Sequence, residues 1–335
     1  MTPNPSFLHL FREPRRFLLS GHENPDGDCV GAQAALFHLL KALGRPVVIL
    51  NPDPLERSYD FLLDHTEFRS WQPGATVPEF DTVVLLDCHQ TSRLGPLGGV
   101  LAARRPTLVV IDHHLGSDQG EEALRYVDPA APSTGTLVHR LYHALEVPLP
   151  RAAAEGVFLS LVADTGWFRY SNTSAEVFAI AASLVQAGVD PSRLFDLMFR
   201  RNHPDSVGLL ADALGTHQYR FGGRYVFAVL DRAFQERAAK AGFNTDDVLE
   251  PMRSVQGVEV VALLKERSTG QVKVSLRAVG DVDVQAIAAR FGGGGHRKAA
   301  GATLDIDLAN AIAQVEDTVR RALTTGGAGA RTGPS

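Results

Sequence analysis

Residues 108–116 read LVVIDHHLG, an apolar run that ends in one carboxylate and two imidazoles. The apolar run is typical of a strand buried on both faces, so Asp112, His113 and His114 lie just beyond its carboxyl end. Open α/β sheets place their ligands at that end of a strand. The triplet offers oxygen and nitrogen ligands for a metal ion. Taken alone, it is also compatible with a polar strand end whose histidines are structural.

Acidic residues and a histidine end three further elements. The sequence GHENPDGD places His22, Asp26 and Asp28 on a loop between a strand and a helix. VVLLDC ends a strand at Asp87, and LVADTG places Asp164 at the end of an apolar helical segment. Singly, each aspartate could be a turn, cap or salt-bridge residue. Gathered at one edge of a parallel sheet, they form a candidate site.

The ligand types in this set indicate phosphoryl chemistry. Four neighbouring carboxylates repel one another unless cations neutralise them. Oxygen-rich ligands with some imidazole suit Mn²⁺ or Mg²⁺ better than a structural zinc site, which favours thiolates. Two metals about 3.5 to 4 Å apart, with a shared hydroxide, are the standard solution for phosphoester cleavage.

The hydrophobic pattern predicts an α/β fold that positions this edge. Strands and helical segments alternate in the first half, which favours a doubly wound, mostly parallel sheet. The second half predicts a smaller α+β domain. The predicted strands are 17–20, 47–50, 83–86, 108–111, 225–230, 258–265 and 272–277. The predicted helices are 29–43, 133–145, 151–163, 175–187, one or two within 192–216, 282–291 and 309–323. Thr173 and Glu176 are read as a capping box.

Composition limits the classes of protein that this chain can be. Its 335 residues suggest two domains, and 44% hydrophobic with 21% charged residues is typical of a globular protein. The net charge of −5 gives no global basic surface for coating nucleic acid. Cys29 and Cys88 are the only cysteines, and we interpret both as small buried residues in a cytoplasmic protein. No apolar run approaches the roughly 18 residues of a membrane span.

A glycine-rich segment, FGGGGHRKAAG at 291–301, is a second candidate site. Glycines allow backbone amides to approach a phosphate closely, and adjacent cationic residues add positive charge. A helix beginning after the glycines would strengthen an anion site. A bare glycine run is also compatible with a flexible turn.

Five motifs in order, HENPDGD, VLLDC, IDHH, VADTG and GGGGH, resemble the DHH phosphoesterase superfamily, in the subgroup that carries a DHHA1 substrate domain. The resemblance covers about residues 15 to 325. It implies a DHH catalytic domain over 1–190, a helical linker over 191–219, a DHHA1 domain over 220–325 and a disordered tail over 326–335. It also implies an active-site cleft between the two domains.

The resemblance assigns roles to the motif residues. It implies that two Mn²⁺ ions bind, with Mg²⁺ as the alternative, and that Asp87 bridges them. His114 resembles the residue that contacts phosphate, and Asp112 resembles its orienting partner. The implied metal ligands are His22, Asp26, Asp28, Asp87, His113 and Asp164. The implied substrate-binding residues are Gly293, Gly294, Gly295, His296, Arg277, Arg297 and Lys298. Arg277 is also compatible with a solvated face position.

The activity implied is hydrolysis of short oligoribonucleotides, of about two to five nucleotides, to mononucleotides, together with conversion of 3′-phosphoadenosine 5′-phosphate (pAp) to AMP. The expected partners are short RNA and nucleotides such as pAp, without a membrane, and homodimer formation is left open. Alternatives are a RecJ-like single-strand exonuclease, a cyclic or linear dinucleotide phosphodiesterase, a pyrophosphatase, or a non-catalytic nucleotide sensor.

Overall fold

A computed structural model describes residues 3–116, 120–267 and 269–326, without the side chains of residues 296, 325 and 326. The chain divides into two compact units, Met1–Arg201 and Asn202–Ser335. The predicted domain, linker and tail limits stay a prediction, and the tail lies outside the described residues from residue 327 onward. Among the described residues, no helix combines the length and apolar character required to cross a membrane.

The N-terminal unit alternates strands and helices, as the hydrophobic pattern predicts. Its strands are β1 (Phe17–Ser20), β2 (Val47–Asn51), β3 (Phe68–Ser70), β4 (Thr82–Leu86), β5 (Thr107–Asp112) and β6 (Leu124–Val127). Its α-helices are α1 (Pro5–Arg12), α2 (Gly27–Ala42), α3 (Pro96–Ala102), α4 (Thr134–Ala144), α5 (Arg151–Asp164), α6 (Ala175–Gln186) and α7 (Pro191–Phe199).

The six strands form one parallel sheet in the order β3-β2-β1-β4-β5-β6. Every residue of β1 and β4 is buried, because helices and loops cover both faces of the sheet. The chain therefore forms the predicted doubly wound α/β fold. The strand order reverses between β1 and β4, and that switch point is where such sheets form ligand crevices.

Two glycines bring the helices α2 and α5 into backbone contact. A Cβ atom on Gly31 would lie 2.4 Å from the carbonyl oxygen of Gly156, and one on Gly156 would lie 2.7 Å from that of Gly31. Both distances are too short for a real side chain, so the contact requires glycine on each helix. The contact holds the beginning of α2, with Asp28, beside the end of α5, with Asp164.

The C-terminal unit is the predicted α+β domain. Its strands are β7 (Gln218–Arg220), β8 (Tyr225–Leu230), β9 (Val260–Glu266), β10 (Val272–Ala278), β11 (Gly294–His296) and β12 (Ala299–Leu304). Its α-helices are α8 (Ser206–Gly215), α9 (Arg232–Ala241), α10 (Leu249–Arg253), α11 (Val284–Ala289) and α12 (Leu308–Gly326). The six strands form one sheet in the order β11-β12-β10-β9-β8-β7, in which β8 and β9 pair in parallel. Separate apolar cores lie on its two faces.

The structure differs from the sequence interpretation at three places. The predicted capping box does not form, because Ser174, and not Thr173, caps α6 by accepting a hydrogen bond from the amide of Val177. No helix follows the glycine run, which instead forms the hairpin β11–β12. The helix predicted from Cys29 begins at Gly27, since Asp26 caps it. Asp28 consequently lies in the first helical turn and not on a loop.

Candidate active site

The predicted ligand residues converge at the carboxyl edge of the parallel sheet. His22 follows β1 by two residues, Asp87 follows β4 directly, and β5 ends at Asp112, immediately before His113 and His114. Asp26 and Asp28 begin α2, while Asp164 ends α5. These elements flank the β1–β4 switch point, so the predicted clustering at one sheet edge is confirmed.

Asp28 is a fully buried carboxylate held by several donors. Its Oδ2 accepts a hydrogen bond from the amide of Thr134 at 2.9 Å, and its Oδ1 accepts one from the amide of Gly135 at 3.2 Å. The hydroxyl of Ser160 donates a third hydrogen bond to Oδ1. Burial acts to raise the pKa of Asp28, but His113 and these donors outweigh it and lower the pKa. Asp28 is therefore held as an anion at the beginning of α4.

Asp87 lies at the centre of the cluster in a strained conformation. Its φ angle is +61°, in the left-handed region that a non-glycine residue adopts at a free-energy cost of about 1 kcal/mol or more. The side chain is only 4% exposed, and its Oδ1 accepts a hydrogen bond from the Thr134 hydroxyl at 3.1 Å. Burial and the charges of Asp28 and Asp26 raise its pKa well above the usual range. A buried, repelled carboxylate in a strained turn is typical of a functional group.

His113 directs a nitrogen at three carboxylates. Its Nδ1 lies 3.1 Å from the carbonyl oxygen of Ala131, which can only accept, so Nδ1 donates. Its buried Nε2 has no hydrogen-bond partner within the described ranges. That atom lies 2.9 Å from Asp164 Oδ2, 3.3 Å from Asp28 Oδ2 and 3.7 Å from Asp87 Oδ1. If His113 is neutral, the lone pair of its Nε2 points at carboxylate oxygens. That arrangement is favourable only when a cation lies between the nitrogen and the oxygens.

The electrostatics of this group fit a bound cation. Burial acts to lower the pKa of His113, but Asp164 and Asp28 raise it to about 12. Burial and the charge of Asp28 raise the pKa of Asp164 to about 6. Without a metal ion, the cluster retains protons to limit its own repulsion. A divalent cation would supply the same compensation, so Asp28, His113 and Asp164 suit a metal site by both geometry and charge.

Two further potential metal groups contain Asp87, one with His113 and His114 and one with His22 and Asp26. His22, Asp26 and Asp87 each offer one ligand atom, and the three atoms lie within 4.8 Å of one another. Nε2 of His22 lies 3.4 Å from Asp87 Oδ2 and 4.0 Å from Asp26 Oδ1. Asp87 thus directs Oδ2 toward His22 and Oδ1 toward His113, which is the arrangement that a shared ligand requires.

Asp112 fixes the orientation of His114. Asp112 is fully buried, and its Oδ1 accepts hydrogen bonds from Nδ1 of His114 at 2.8 Å and from the amides of His113 and His114. The hydrogen bond to Asp112 raises the pKa of His114. His114 Nδ1 also lies 3.5 Å from Asp87 Oδ1, so the imidazole lies beside the shared carboxylate.

Residues 16–161 match the family model for the DHH family, N-terminal domain, and residues 222–321 match the DHHA1 domain. The chain belongs to the DHH family. Over 313 residues it is 36% identical to the bifunctional oligoribonuclease and PAP phosphatase NrnA of Thermus thermophilus, covering 92% of this chain and 90% of the relative. The chain is therefore a DHH-family phosphoesterase, and the family resemblance of its five motifs is confirmed.

Two other relatives of this DHH protein bear on fold and alternatives. The crystal structure of an exopolyphosphatase-related protein from Bacteroides fragilis has a TM-score of 0.86 at 22% identity, covering 94% of this chain and 95% of the other. That likeness concerns the fold. The cyclic-di-AMP phosphodiesterase GdpP of Geobacillus thermodenitrificans is 26% identical over 92% of this chain, but only 48% of its own length is covered.

The segment after Asp164 is strained in this DHH domain. Gly166, Trp167 and Phe168 all have φ angles between +55° and +64°. The Trp167 ring packs edge-on against Phe195, with ring centroids 5.1 Å apart, and its buried Nε1 has no hydrogen-bond partner among the described residues. Packing against Phe195 and Phe199 of α7 therefore accounts for Trp167.

The glycine run forms a tight hairpin in the DHHA1 domain. A Cβ on Gly293 would lie 2.2 Å from the Gly301 carbonyl oxygen, and Gly295 has a φ of +133° with the Ala299 oxygen 2.6 Å from its ideal Cβ. Gly293 and Gly295 are therefore required by the hairpin itself. Gly292 and Gly294 face open space, so a ligand can approach the backbone at these two glycines. The His296 side chain lies outside the described residues.

The predicted basic residues of the DHHA1 domain lie around this hairpin. Arg277 on β10 donates to the Leu276 carbonyl oxygen at 3.0 Å and lies 3.6 Å from Asp246 Oδ2. Arg297 donates to the Asp281 carbonyl oxygen at 2.9 Å, and Lys298 is exposed. The substrate-binding roles of these residues stay a prediction.

Two residues that hold the ligands of this DHH domain, Thr134 and Ser160, were not predicted from the sequence. Thr134 contacts both Asp28 and Asp87, while Ser160 donates to Asp28 and accepts from the amide of Gly135 at 2.8 Å. Ser160 is the one hydroxyl in the apolar stretch VFLSLVAD, and that isolated position is the signal that could have identified it. Thr134 carries no comparable signal, since Ser-Thr pairs commonly begin helices.

Proposed function

We propose that this DHH phosphoesterase hydrolyses oligoribonucleotides of about two to five nucleotides to nucleoside monophosphates and converts pAp to AMP, using Mn²⁺. The observation that carries the proposal is the convergence of six ligand-competent side chains around Asp87, whose two oxygens face His22 and His113. The likeness to the oligoribonuclease and PAP phosphatase of Thermus thermophilus supports the choice of substrates.

Each group of ligands would hold one divalent cation. His22 and Asp26 would hold one cation, Asp28, His113 and Asp164 would hold the other, and Asp87 would serve both. When bound, the two cations would neutralise developing charge on the phosphoryl group and lower the pKa of an attacking water. Mn²⁺ suits this mixture of carboxylate and imidazole ligands, and Mg²⁺ is the alternative.

The protein's own residues would position the ligands and the phosphate. The Ala131 carbonyl oxygen fixes the His113 tautomer so that Nε2 faces the metal group. Asp112 engages Nδ1 of His114, so a contact between His114 and a nonbridging phosphate oxygen would come from Nε2. In the DHHA1 domain, the backbone of Gly294 and the side chains of Arg277 and His296 would bind a substrate phosphate.

The decisive test is hydrolysis of a 5′-labelled oligoribonucleotide series, from two to twenty-four nucleotides, with pAp, pyrophosphate and cyclic di-AMP measured alongside. We expect rapid Mn²⁺-dependent cleavage of the shortest RNAs and release of phosphate from pAp. Asp87→Ala removes the ligand shared by both groups and should abolish both activities. Asp212→Ala is the control, because Asp212 is an exposed carboxylate paired with Arg237 in the other unit.

Each alternative outcome identifies a different error. Activity confined to the longest strands would contradict the short-substrate proposal and favour a RecJ-like exonuclease. Preferred cleavage of cyclic di-AMP would favour the dinucleotide alternative, which the likeness to GdpP supports. Normal turnover by Asp87→Ala would refute the assignment of the site.

A further inference from the structure

A cavity of about 550 Å³ lies in the C-terminal unit between α9 and the hairpin β9–β10. Four cationic residues line it, together with two glutamates and smaller side chains. The cations are Arg232 on α9, Lys265 and Arg267 at the end of β9, and Lys273 on β10. None of them belongs to the metal groups or to the glycine hairpin already described.

Lys265 and Lys273 face each other directly across the two strands. They are register partners in the antiparallel pair β9–β10, so both side chains project from the same face of the sheet. Like charges directly opposite each other on antiparallel strands destabilise a sheet. Lys265 is compensated, because its Nζ lies 2.6 Å from Asp246 Oδ1 and donates to the Thr245 hydroxyl at 3.1 Å.

Among the described residues, Lys273 shares the negative charge of Asp246 with Lys265 and has no carboxylate of its own. Within the part of the chain that the structure describes, no carboxylate forms an ion pair with Lys273 or Arg267. Burial and the charges of Lys265 and Arg267 lower the pKa of Lys273, while Asp246 acts in the opposite direction. One carboxylate, Asp246, thus serves two facing lysines and Arg277, so positive charge remains that a bound anion would balance.

The glutamates of the cavity are engaged at the beginning of α9. Glu236 lies 3.2 Å from Nε of Arg232, and Glu266 accepts a hydrogen bond from the amide of Arg232 at 3.3 Å. The Arg232 side chain therefore pairs with Glu236, while Glu266 is held by the backbone amide of Arg232 and keeps its negative charge. The positive charge that remains is concentrated on the hairpin side, at Lys273 and Arg267.

We propose that this cavity is a second phosphate-binding site, which takes a phosphorylated nucleotide and holds its phosphate between Lys273, Lys265 and Arg267. The volume is far larger than a phosphate ion requires and lies within the range of small-molecule pockets, so it can accommodate a nucleoside as well. Two sources share this chemistry: a free mononucleotide, and a backbone phosphate of an oligonucleotide. The proposal rests on the C-terminal unit alone and does not depend on the proposed hydrolytic function.

The test measures binding of labelled 5′-AMP to the full chain by equilibrium dialysis, because AMP has no phosphodiester to hydrolyse. The double variant Lys273→Thr with Arg267→Ala should bind one equivalent fewer, or bind that equivalent at least about tenfold more weakly. Lys240→Ala, which removes an exposed lysine of α9 outside the cavity, should bind as the unchanged chain does. A second arm repeats the comparison with a hexaribonucleotide in the presence of EDTA, which prevents hydrolysis.

Loss of AMP binding would support the proposal with a free mononucleotide as the ligand. Loss confined to the hexaribonucleotide would support it with the RNA backbone as the source of the phosphate. Unchanged binding in both arms, or an equal loss in Lys240→Ala, would overturn it. Because no turnover is measured, failure of the proposed hydrolytic activity would leave either result intact.

A thermal melt gives an independent readout. Lys273→Thr removes the opposed positive charge and adds a residue favoured in strands, so its melting temperature in the absence of nucleotide should rise by about 1 to 3 °C. A merely structural lysine would show a lower melting temperature on substitution. That result would contradict the proposal, because it would mean that the Lys273–Lys265 pair is not strained without a ligand.

Discussion

Replacing Ser160 by alanine tests whether hydroxyl groups around Asp28 position the metal ligands. The Ser160 hydroxyl donates to Asp28 and accepts from the Gly135 amide, and both residues are fully buried. Ser160→Ala removes one of the three hydrogen-bond donors to this carboxylate described above, while the amides of Thr134 and Gly135 remain. The change therefore weakens the hydrogen bonding that fixes the Asp28 carboxylate but leaves two donors in place.

The magnitude follows from the contacts that are lost. A hydrogen bond to a charged group contributes about 1.5 to 3 kcal/mol, and the Gly135 amide keeps Asp28 as its second acceptor. We therefore expect the free energy of unfolding to fall by about 2 kcal/mol, which lowers the melting temperature by about 4 to 8 °C. Residues that orient metal ligands change metal affinity by about 10- to 100-fold when substituted.

The assay is dinucleotide hydrolysis across a Mn²⁺ titration, together with a thermal melt. We expect Ser160→Ala to require about 10- to 100-fold more Mn²⁺ for half-maximal rate, and to recover most of kcat at saturation. Ser183→Ala is the matched control, because its hydroxyl donates only to the Ile180 carbonyl oxygen within α6. If Ser160→Ala melts early but keeps the original Mn²⁺ requirement, Ser160 stabilises the fold alone and the reasoning is refuted.

Three further predictions concern packing, pH and metal removal. Gly31→Ala should lower the free energy of unfolding by about 1 to 3 kcal/mol in a denaturant melt, because its Cβ would overlap the Gly156 carbonyl oxygen. Gly99→Ala is the control: the Cβ on α3 would enter open space, so this variant should not be destabilised. Burial lowers the pKa of His139 to about 4, so between pH 4 and 6.5 the unfolded chain binds a proton that the folded chain excludes. The free energy of unfolding should therefore be retained above pH 6.5 and decline by up to about 3 kcal/mol toward pH 4. His139→Leu should flatten this dependence of the melting temperature on pH. Mn²⁺ at 100 times its Kd should stabilise the chain by about 2.7 kcal/mol per site, and a melting temperature unchanged by EDTA in a Mn²⁺-loaded sample would contradict metal binding.

Much of the fold was predictable because the buried central strands have a clear hydrophobic pattern in the sequence. Residues 83–86 and 108–111 form continuous apolar runs, since helices and loops cover both faces of the sheet. The edge strands β3 and β6 were missed because they are short and partly exposed, and so carry no comparable run. The hairpin β11–β12 was missed because its glycine run has no side-chain periodicity.

The candidate site was predictable to the extent that its residues carry chemistry themselves. Asp87 and His113 were found because strands that end in ligands meet at one sheet edge. Thr134 and Ser160 were not, because a buried hydroxyl is identified as a positioning group only when its partner is known. The left-handed backbone of Asp87 was equally invisible in the sequence, since a non-glycine residue gives no local sign of a positive φ.

The strained turn after Asp164 gives the protein an internal optical probe. The chain has two tryptophans, and Trp167 lies three residues beyond a candidate metal ligand, in a segment whose left-handed backbone leaves it little freedom to adjust. Any displacement of the end of α5 on metal loading would be passed to the indole ring and alter its emission. In a chain carrying Trp71→Phe, intrinsic fluorescence would then report occupancy of this half of the site, without a label and without a substrate.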